Sequence, residues 1–238
     1  MSDADNFLNP RPVADHLHDY RLRCDIRDAL IAHLPDFHGT LLDIGCGRMP
    51  YRSLITSPPS RVERYVGLDI EGSLHRRHDL QFNGRDIPLD EHSVDTAIAT
   101  EVLEHCPEPA QLLREIRRVL KPGGLFFFTV PFFWPVHEAP HDFFRYTPFA
   151  MKYLLEQAGL SEINIRAHSG WDASLAQMLG LWLKYRGMLP WKRRLLSNLC
   201  KPLVVLLNRI DEHPADTGES TMLTGLSGTA RNPSLQAR

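Results

Sequence analysis

The sequence predicts a doubly wound α/β fold with a mostly parallel, seven-stranded sheet and a helical C-terminal insertion. Three observations carry this. Short, nearly continuous apolar runs, among them Thr40–Ile44, Val94–Thr100 and Leu125–Val130, alternate with helical patterns, as strands covered on both faces require. The early runs end at glycines or at an acid, which is where open α/β sheets place their ligand-binding turns. The alternation then gives way over 171–210 to two apolar–basic helical patterns.

Taken in order, residues 1–14 read as a flexible N-terminal arm, with two prolines and little hydrophobic pattern. Between Asp15 and Leu34 the positions Leu22, Ile26, Ala29 and Leu30 fall at helical spacing. Thr40–Ile44 is the first strand and Arg64–Ile70 the second. His75–Leu80 is a short third strand, and Val94–Thr100 the fourth. Pro109–Leu120 is a helix with Leu112, Leu113, Ile116, Val119 and Leu120 on one side. Lys121-Pro122-Gly123-Gly124 stops it, because proline and paired glycines do not continue a helix. Leu125–Val130 is a buried fifth strand, Thr147–Ala158 a helix with Gly159 beyond its end, and Ser161–His168 a sixth strand. Gly187 and Pro190 split the helical patterns of 171–210, and Thr221–Ala230 reads as a last strand. The expected organisation is a core over 15–170, an insertion over 171–210, and a last strand and tail over 211–238.

Composition bounds the function. Hydrophobic residues at 43% and charged residues at 24% are ordinary for a soluble globular chain. A formal net charge of −2 argues against a general nucleic-acid binder. Cys24, Cys46, Cys106 and Cys200 lack CxxC spacing and fit reduced thiols of a cytoplasmic protein. No basic start followed by an apolar stretch marks a signal peptide. No run reaches the ~18 apolar residues of a spanning helix.

The chemistry-bearing motif is Leu41-Leu42-Asp43-Ile44-Gly45-Cys46-Gly47, a strand end running into glycines that admit close backbone approach. The next acid at a strand end, Asp69, lies 22 residues beyond Gly47, where a carboxylate would accept both hydroxyls of a ribose. A dinucleotide fingerprint GxGxxG needs glycine at position 50; the residue is Pro50. That disfavours a pyrophosphate cofactor such as NAD and leaves an adenosine ligand without one.

With these come IPLDEHSVDTAIATEVLEH and REIRRVLKPGG followed by LFFFTVP. Together the segments resemble the successive motifs of class I S-adenosylmethionine-dependent methyltransferases, particularly the bacterial type 11 group. The resemblance runs from about Thr40 to Gly159. It implies a Rossmann-like methyltransferase fold in which Asp43, Gly45 and Gly47 cradle the methionine part of S-adenosylmethionine and Asp69 binds its ribose. Asp79 and Leu80 would border the adenine, with a plain strand-end acid as the alternative, and Thr100, Glu101 and Val102 would line the floor; core packing is the alternative for Val102 and Leu103. Glu101, Glu104 and His105 resemble a Glu-x-x-Glu-His run that holds a divalent cation such as Mg²⁺ in ubiquinone-type and small-RNA O-methyltransferases. The other reading makes them helix-start residues, and no metal is expected.

The segment after the fifth strand, Pro131–Thr147, combines aromatics with His137, His141, Asp142 and Arg145 at the carboxyl edge of the sheet. It resembles loops of bacterial methyltransferases linked to cell-surface glycan or lipid metabolism. Methylation of a hydroxyl needs a base, and histidine is the usual one. His137 and His141 are four apart, so a helical turn would put both on one face. Asp142, Arg145 and Tyr146 have a second reading as residues that pin the loop, with Thr147 capping the next helix.

From Ala173 to Ile210 there are seven basic residues and no acid, with Trp182 and Trp191 among them. That pattern fits either peripheral contact with an anionic membrane or a helical cap or dimer contact. The function expected is methyl transfer, to oxygen, on a small-molecule, glycan or lipid-linked acceptor, with no nucleic-acid partner. A non-catalytic module of the same fold and an NAD-dependent oxidoreductase are the alternatives.

Overall fold

The structure is a computed structural model that describes residues 3–72, 78–214 and 217–234. Along the chain the elements are α1 (Asp3–Leu8), α2 (Tyr20–His33), β1 (His38–Ile44), α3 (Arg52–Ile55), β2 (Arg61–Ile70), β3 (Leu80–Phe82) and β4 (Val94–Thr100). They continue with α4 (Pro109–Val119), β5 (Leu120–Pro131), α5 (Pro148–Gln157), β6 (Ser161–His168), α6 (Trp171–Tyr185), α7 (Pro190–Ile210) and β7 (Gly225–Arg231).

The seven strands form one sheet in the order β3-β2-β1-β4-β5-β7-β6. Four neighbouring pairs, β1–β2, β1–β4, β2–β3 and β4–β5, are parallel. The chain steps outward from β1 to β2 and β3, then returns to lay β4 on the other side of β1. The strand order therefore reverses between β1 and β4, the crevice where open α/β sheets bind ligands. Phe126, Phe127 and Phe128 are successive and all fully buried, so β5 is covered on both faces. Near-continuous apolarity is what that position demands.

The local signals act as their chemistry dictates. Pro109 opens α4 and α4 ends at Val119, just before the Lys121-Pro122-Gly123-Gly124 stretch. The Thr147 hydroxyl accepts a hydrogen bond from the Ala150 amide at 3.1 Å and caps α5.

Contacts divide the chain into two units, 1–28 with 167–225, and 29–166 with 226–238. The second carries β1–β5 and nearly all of β6 and β7. In the first, α6 and α7 bury Ala176, Leu183, Val204 and Leu207 together with Leu17. Gly180 is required there, because a Cβ would stand 2.5 Å from the Leu17 carbonyl oxygen. Asp211 receives the Gly170 and Ala173 amides at 2.8 and 2.9 Å and so closes the N-terminus of α6. The buried Asp25 carboxylate accepts from Arg21, Ser169 and Thr224.

Two expectations change. The segment expected as a loose arm contains α1, where Asn6 is buried and donates to Asp19, and Arg23 lies 3.7 Å from the centre of the Phe7 ring. These are polar and cation–π contacts, which an apolar pattern cannot reveal. The third strand begins at Leu80 where the sequence reading ended it; residues 73–77 lie outside the described part. Its pairing is set by β2, with Leu68 opposite Leu80 and Ile70 opposite Phe82. Among the described residues no helix is long and apolar enough to cross a membrane.

Candidate active site

The site begins where β1 ends. Asp43 is 5% exposed, and its register partners are Gly67 on β2 and Ile98 on β4. The Tyr65 hydroxyl donates to one carboxylate oxygen, Oδ2. The other, Oδ1, is buried with no hydrogen-bond partner among the described residues. Burial pushes the Asp43 carboxyl up to about 7, against the Tyr65 hydrogen bond that lowers it, and the Asp69 charge adds to the rise. A buried acceptor of this kind is costly unless a donor completes it.

The chain then turns through Gly45 and Gly47, both with positive φ, +64° and +50°. Gly45 admits no side chain, since a Cβ would lie 2.5 Å from Val102 Cγ2. The turn after β1 is thus packed directly on the loop after β4. The Cys46 amide bonds the Leu68 carbonyl at 3.1 Å, and Met49, also at positive φ, closes the turn onto the Cys46 carbonyl at 2.7 Å.

Asp69 is 8% exposed and sits one residue beyond the Ile44–Leu68 pair, level with Gly45. Its Oδ1 accepts the Ile70 amide at 2.9 Å. Asp79 has a different occupation: its Oδ2 takes the Gly67 amide at 2.8 Å, and its own amide bonds the Gly67 carbonyl at 2.8 Å. It clasps the β2 edge from the start of β3, and Leu80 follows it in register with Leu68.

Thr100 closes β4 opposite Thr129 on β5. Glu101 has φ +53°, and its amide reaches the Thr129 carbonyl at 3.1 Å, which swings the chain away from the sheet. Val102 packs against Gly45 as described, and Leu103 is fully buried. The core reading of these two is thus the one their packing matches.

The next residues bring a polar cluster together. Glu104 is 1% exposed, with neither carboxylate oxygen hydrogen-bonded among the described residues, and burial holds its pKa well above the usual range. His105 Nε2 lies 3.8 Å from Glu104 Oε1, and its Nδ1 is 2.7 Å from the His141 carbonyl. His137 stacks edge-on to His105 at 4.7 Å between centroids. Glu104, His105 and His137 offer ligand atoms within 4.8 Å of one another. No metal was expected at the Glu101, Glu104 and His105 run, and the set that meets has His137 in place of Glu101, because the segment after β5 folds back over Glu104.

That segment is not a helical turn, so His137 and His141 do not share a helix face; Glu138 between them has φ +51°. His137 is held by Asp142, whose Oδ2 accepts the His137 amide at 3.0 Å and lies 3.3 Å from Nδ1. His141 is exposed, its carbonyl used by His105 and its ring beside Phe143. Arg145 grips Asp142 with two bonds, 2.6 and 2.9 Å, and reaches the carbonyls of Trp134 and Pro135. The Asp142 carboxyl is thereby held well below the usual carboxylate range. The Tyr146 hydroxyl donates to the Leu103 carbonyl at 2.7 Å, and Glu104's carbonyl takes the Phe143 and Phe144 amides. Asp142, Arg145 and Tyr146 pin the loop.

Residues 42–128 match the family described as methyltransferase domain, and they span β1 to β5 with every residue of the β1 and β4 turns. This part of the chain is similar to a methyltransferase domain. A Mycolicibacterium smegmatis protein described as "Probable S-adenosylmethionine-dependent methyltransferase" is 33% identical over 99 residues, 38% of this chain and 37% of that protein. The chain spans less than half the length of the curated relatives it matches. Likeness of fold to solved structures reaches beyond those residues. A chain from the complex between the Haloferax volcanii Trm112 methyltransferase activator and a methyltransferase aligns with a TM-score of 0.56 at 21% identity, covering 98% of this chain and 99% of that one. An S-adenosylmethionine-dependent methyltransferase from Archaeoglobus fulgidus gives 0.53 at 16% identity, over 95% and 97%.

Tyr65 escaped the sequence reading of the site. The available signal was a tyrosine inside an apolar strand, since a buried hydroxyl needs a partner.

Proposed function

We propose that the chain transfers the methyl group of S-adenosylmethionine to an acceptor hydroxyl. The observation that carries the cofactor reading is the unpartnered, buried oxygen of Asp43 beside Asp69, at the ends of adjacent parallel strands. Both carboxylates are acceptors, and the ammonium and ribose hydroxyls of S-adenosylmethionine are donors, so the donor set fits. When bound, S-adenosylmethionine supplies an electrophilic methyl on its sulfonium. Asp43 and the Gly45–Gly47 turn would hold its methionine part and Asp69 its ribose. Thr100 and Glu101 would border the same pocket. Asp79 would act by fixing the β2 edge.

Oxygen is favoured as the accepting atom by His137. Its Nδ1 faces the Asp142 carboxylate at 3.3 Å and the Pro135 carbonyl at 3.2 Å, both acceptors, so Nδ1 carries the proton and Nε2 is left as a base. An acceptor oxygen that gains a methyl must lose its proton, and His137 Nε2 would take it. Asp142, fixed by Arg145, would orient the ring and stabilise its charged form. Small-molecule, glycan and lipid-linked hydroxyls all satisfy this chemistry.

Release of S-adenosylhomocysteine in the presence of hydroxyl, amine and thiol acceptors tests the reading. Turnover is expected with a hydroxyl. His137→Asn is expected to lower kcat by about 10²–10⁴-fold with cofactor affinity unchanged. Full turnover in that variant would remove His137 as the base, and turnover only with amines or thiols would overturn the oxygen assignment.

A further inference from the structure

The helices α6 and α7 leave large apolar side chains in solvent, and these fall on regular stripes. On α6 they are Trp171, Leu175, Met178, Trp182 and Tyr185, between 39% and 65% exposed, at successive spacings of three or four. On α7 they are Leu195, Leu199, Leu203, Leu206 and Ile210, between 48% and 66% exposed, at the same spacings. Such spacing puts each set on one helix face. The core of the hairpin is made by other positions, Ala176 and Leu183 on α6 with Val204 and Leu207 on α7. Each helix therefore has two apolar faces, one packed and one bare. Bare apolar area on this scale marks an interaction surface.

Charge selects the partner. From Ala173 to Ile210 there are seven Lys and Arg and no Asp or Glu. Lys184, Arg186, Lys192, Arg194, Lys201 and Arg209 are exposed. Arg186 lies over the Trp182 ring at 5.0 Å and Lys192 over Trp191 at 5.5 Å, which places cations beside the tryptophans at the helix-hairpin turn. Two copies of this hairpin face to face would bring fourteen cations together with no acid in either segment to pair them. An anionic surface meets both features at once.

We propose that the bare faces of α6 and α7 dock the protein onto an anionic lipid surface. The leucines and tryptophans enter the headgroup–acyl boundary and the lysines and arginines meet the lipid phosphates. Neither helix crosses the bilayer, in keeping with their insufficient length of apolar sequence. Docking is peripheral and salt-sensitive.

Flotation of the full chain with vesicles tests this. On phosphatidylcholine vesicles containing about 30% phosphatidylglycerol, binding is expected to be at least tenfold stronger than on phosphatidylcholine alone. Leu199→Ser with Leu203→Ser should abolish it, and so should Lys192→Gln with Arg194→Gln and Lys201→Gln. These side chains are exposed, and circular dichroism and the thermal midpoint verify that each variant is folded. Absence of binding by the folded wild-type chain would overturn the proposal. So would binding that survives both sets of replacements. Sedimentation provides the remaining outcome: a dimer that Leu199→Ser with Leu203→Ser dissociates would assign the face to a second copy and overturn the lipid assignment.

Discussion

The hydroxyl of Tyr65 on β2 donates to the buried carboxylate of Asp43 on β1. Tyr65 is in register with Leu41, so its ring runs along the sheet by two residues to reach the acid. This hydrogen bond satisfies one oxygen of a carboxylate whose other oxygen has none among the described residues. Tyr65→Phe is therefore expected to destabilise the protein by about 1–3 kcal/mol where Asp43 is ionised. The loss should be larger at pH 8 than at pH 5, since a protonated Asp43 depends less on an outside donor. Denaturant titrations of both proteins at the two pH values measure it.

Asp43 also sets a pH dependence. Its folded pKa of about 7 lies above the usual 3.8, so the folded state holds a proton that the unfolded state has lost between those values. Stability attributable to this group is complete below about pH 4 and falls as pH rises to about 7. Thermal midpoints of wild type and Asp43→Asn across this range are expected to diverge, with the flatter profile in the variant. Parallel profiles would place the titrating group elsewhere.

The contact of Gly45 with Val102 couples the β1 turn to the β4 loop. Gly45→Ala is expected to cost about 1–3 kcal/mol, from a positive φ and a Cβ placed against Val102. Val102→Ala in the same chain should recover part of that loss, because it removes the atom met, while the backbone strain stays. Chemical denaturation of the single and double variants reads both components.

These relationships show where a sequence is informative. β1, β2, β4 and β5 were legible because a strand covered on both faces is apolar where it is buried, and the turn after β1 because glycine is the residue that tolerates positive φ. Tyr65–Asp43 was not, since partners 22 residues apart meet only once the β1–β2 register is set. The spacing of His137 and His141 suggested a helix face, yet the segment is shaped by its Asp142–Arg145 bond and by Glu138 at positive φ. The resemblance put Asp79 beside the adenine, with a plain strand-end acid as the alternative; its carboxylate is on the Gly67 amide. A strand-end acid alone does not distinguish those uses.

Arg145 holds the loop after β5 by binding Asp142 and two carbonyls. Arg145→Gln is expected to lower kcat for a hydroxyl acceptor by loosening Asp142 and so His137, while leaving affinity for S-adenosylhomocysteine unchanged. A changed cofactor affinity with unchanged kcat would show that the loop serves the cofactor.

The central claim is that Asp69 holds the cofactor and Asp79 holds the strand. Calorimetric titration with S-adenosylhomocysteine, with NADH as control, tests it most directly on wild type, Asp69→Ala and Asp79→Ala. Wild type is expected to bind S-adenosylhomocysteine at micromolar concentration and not NADH. Asp69→Ala should weaken binding by about 1.5–3 kcal/mol with little change in thermal midpoint, and Asp79→Ala should lower the midpoint first. Equal affinity in folded wild type and Asp69→Ala, or no binding by the folded wild type, would contradict the account.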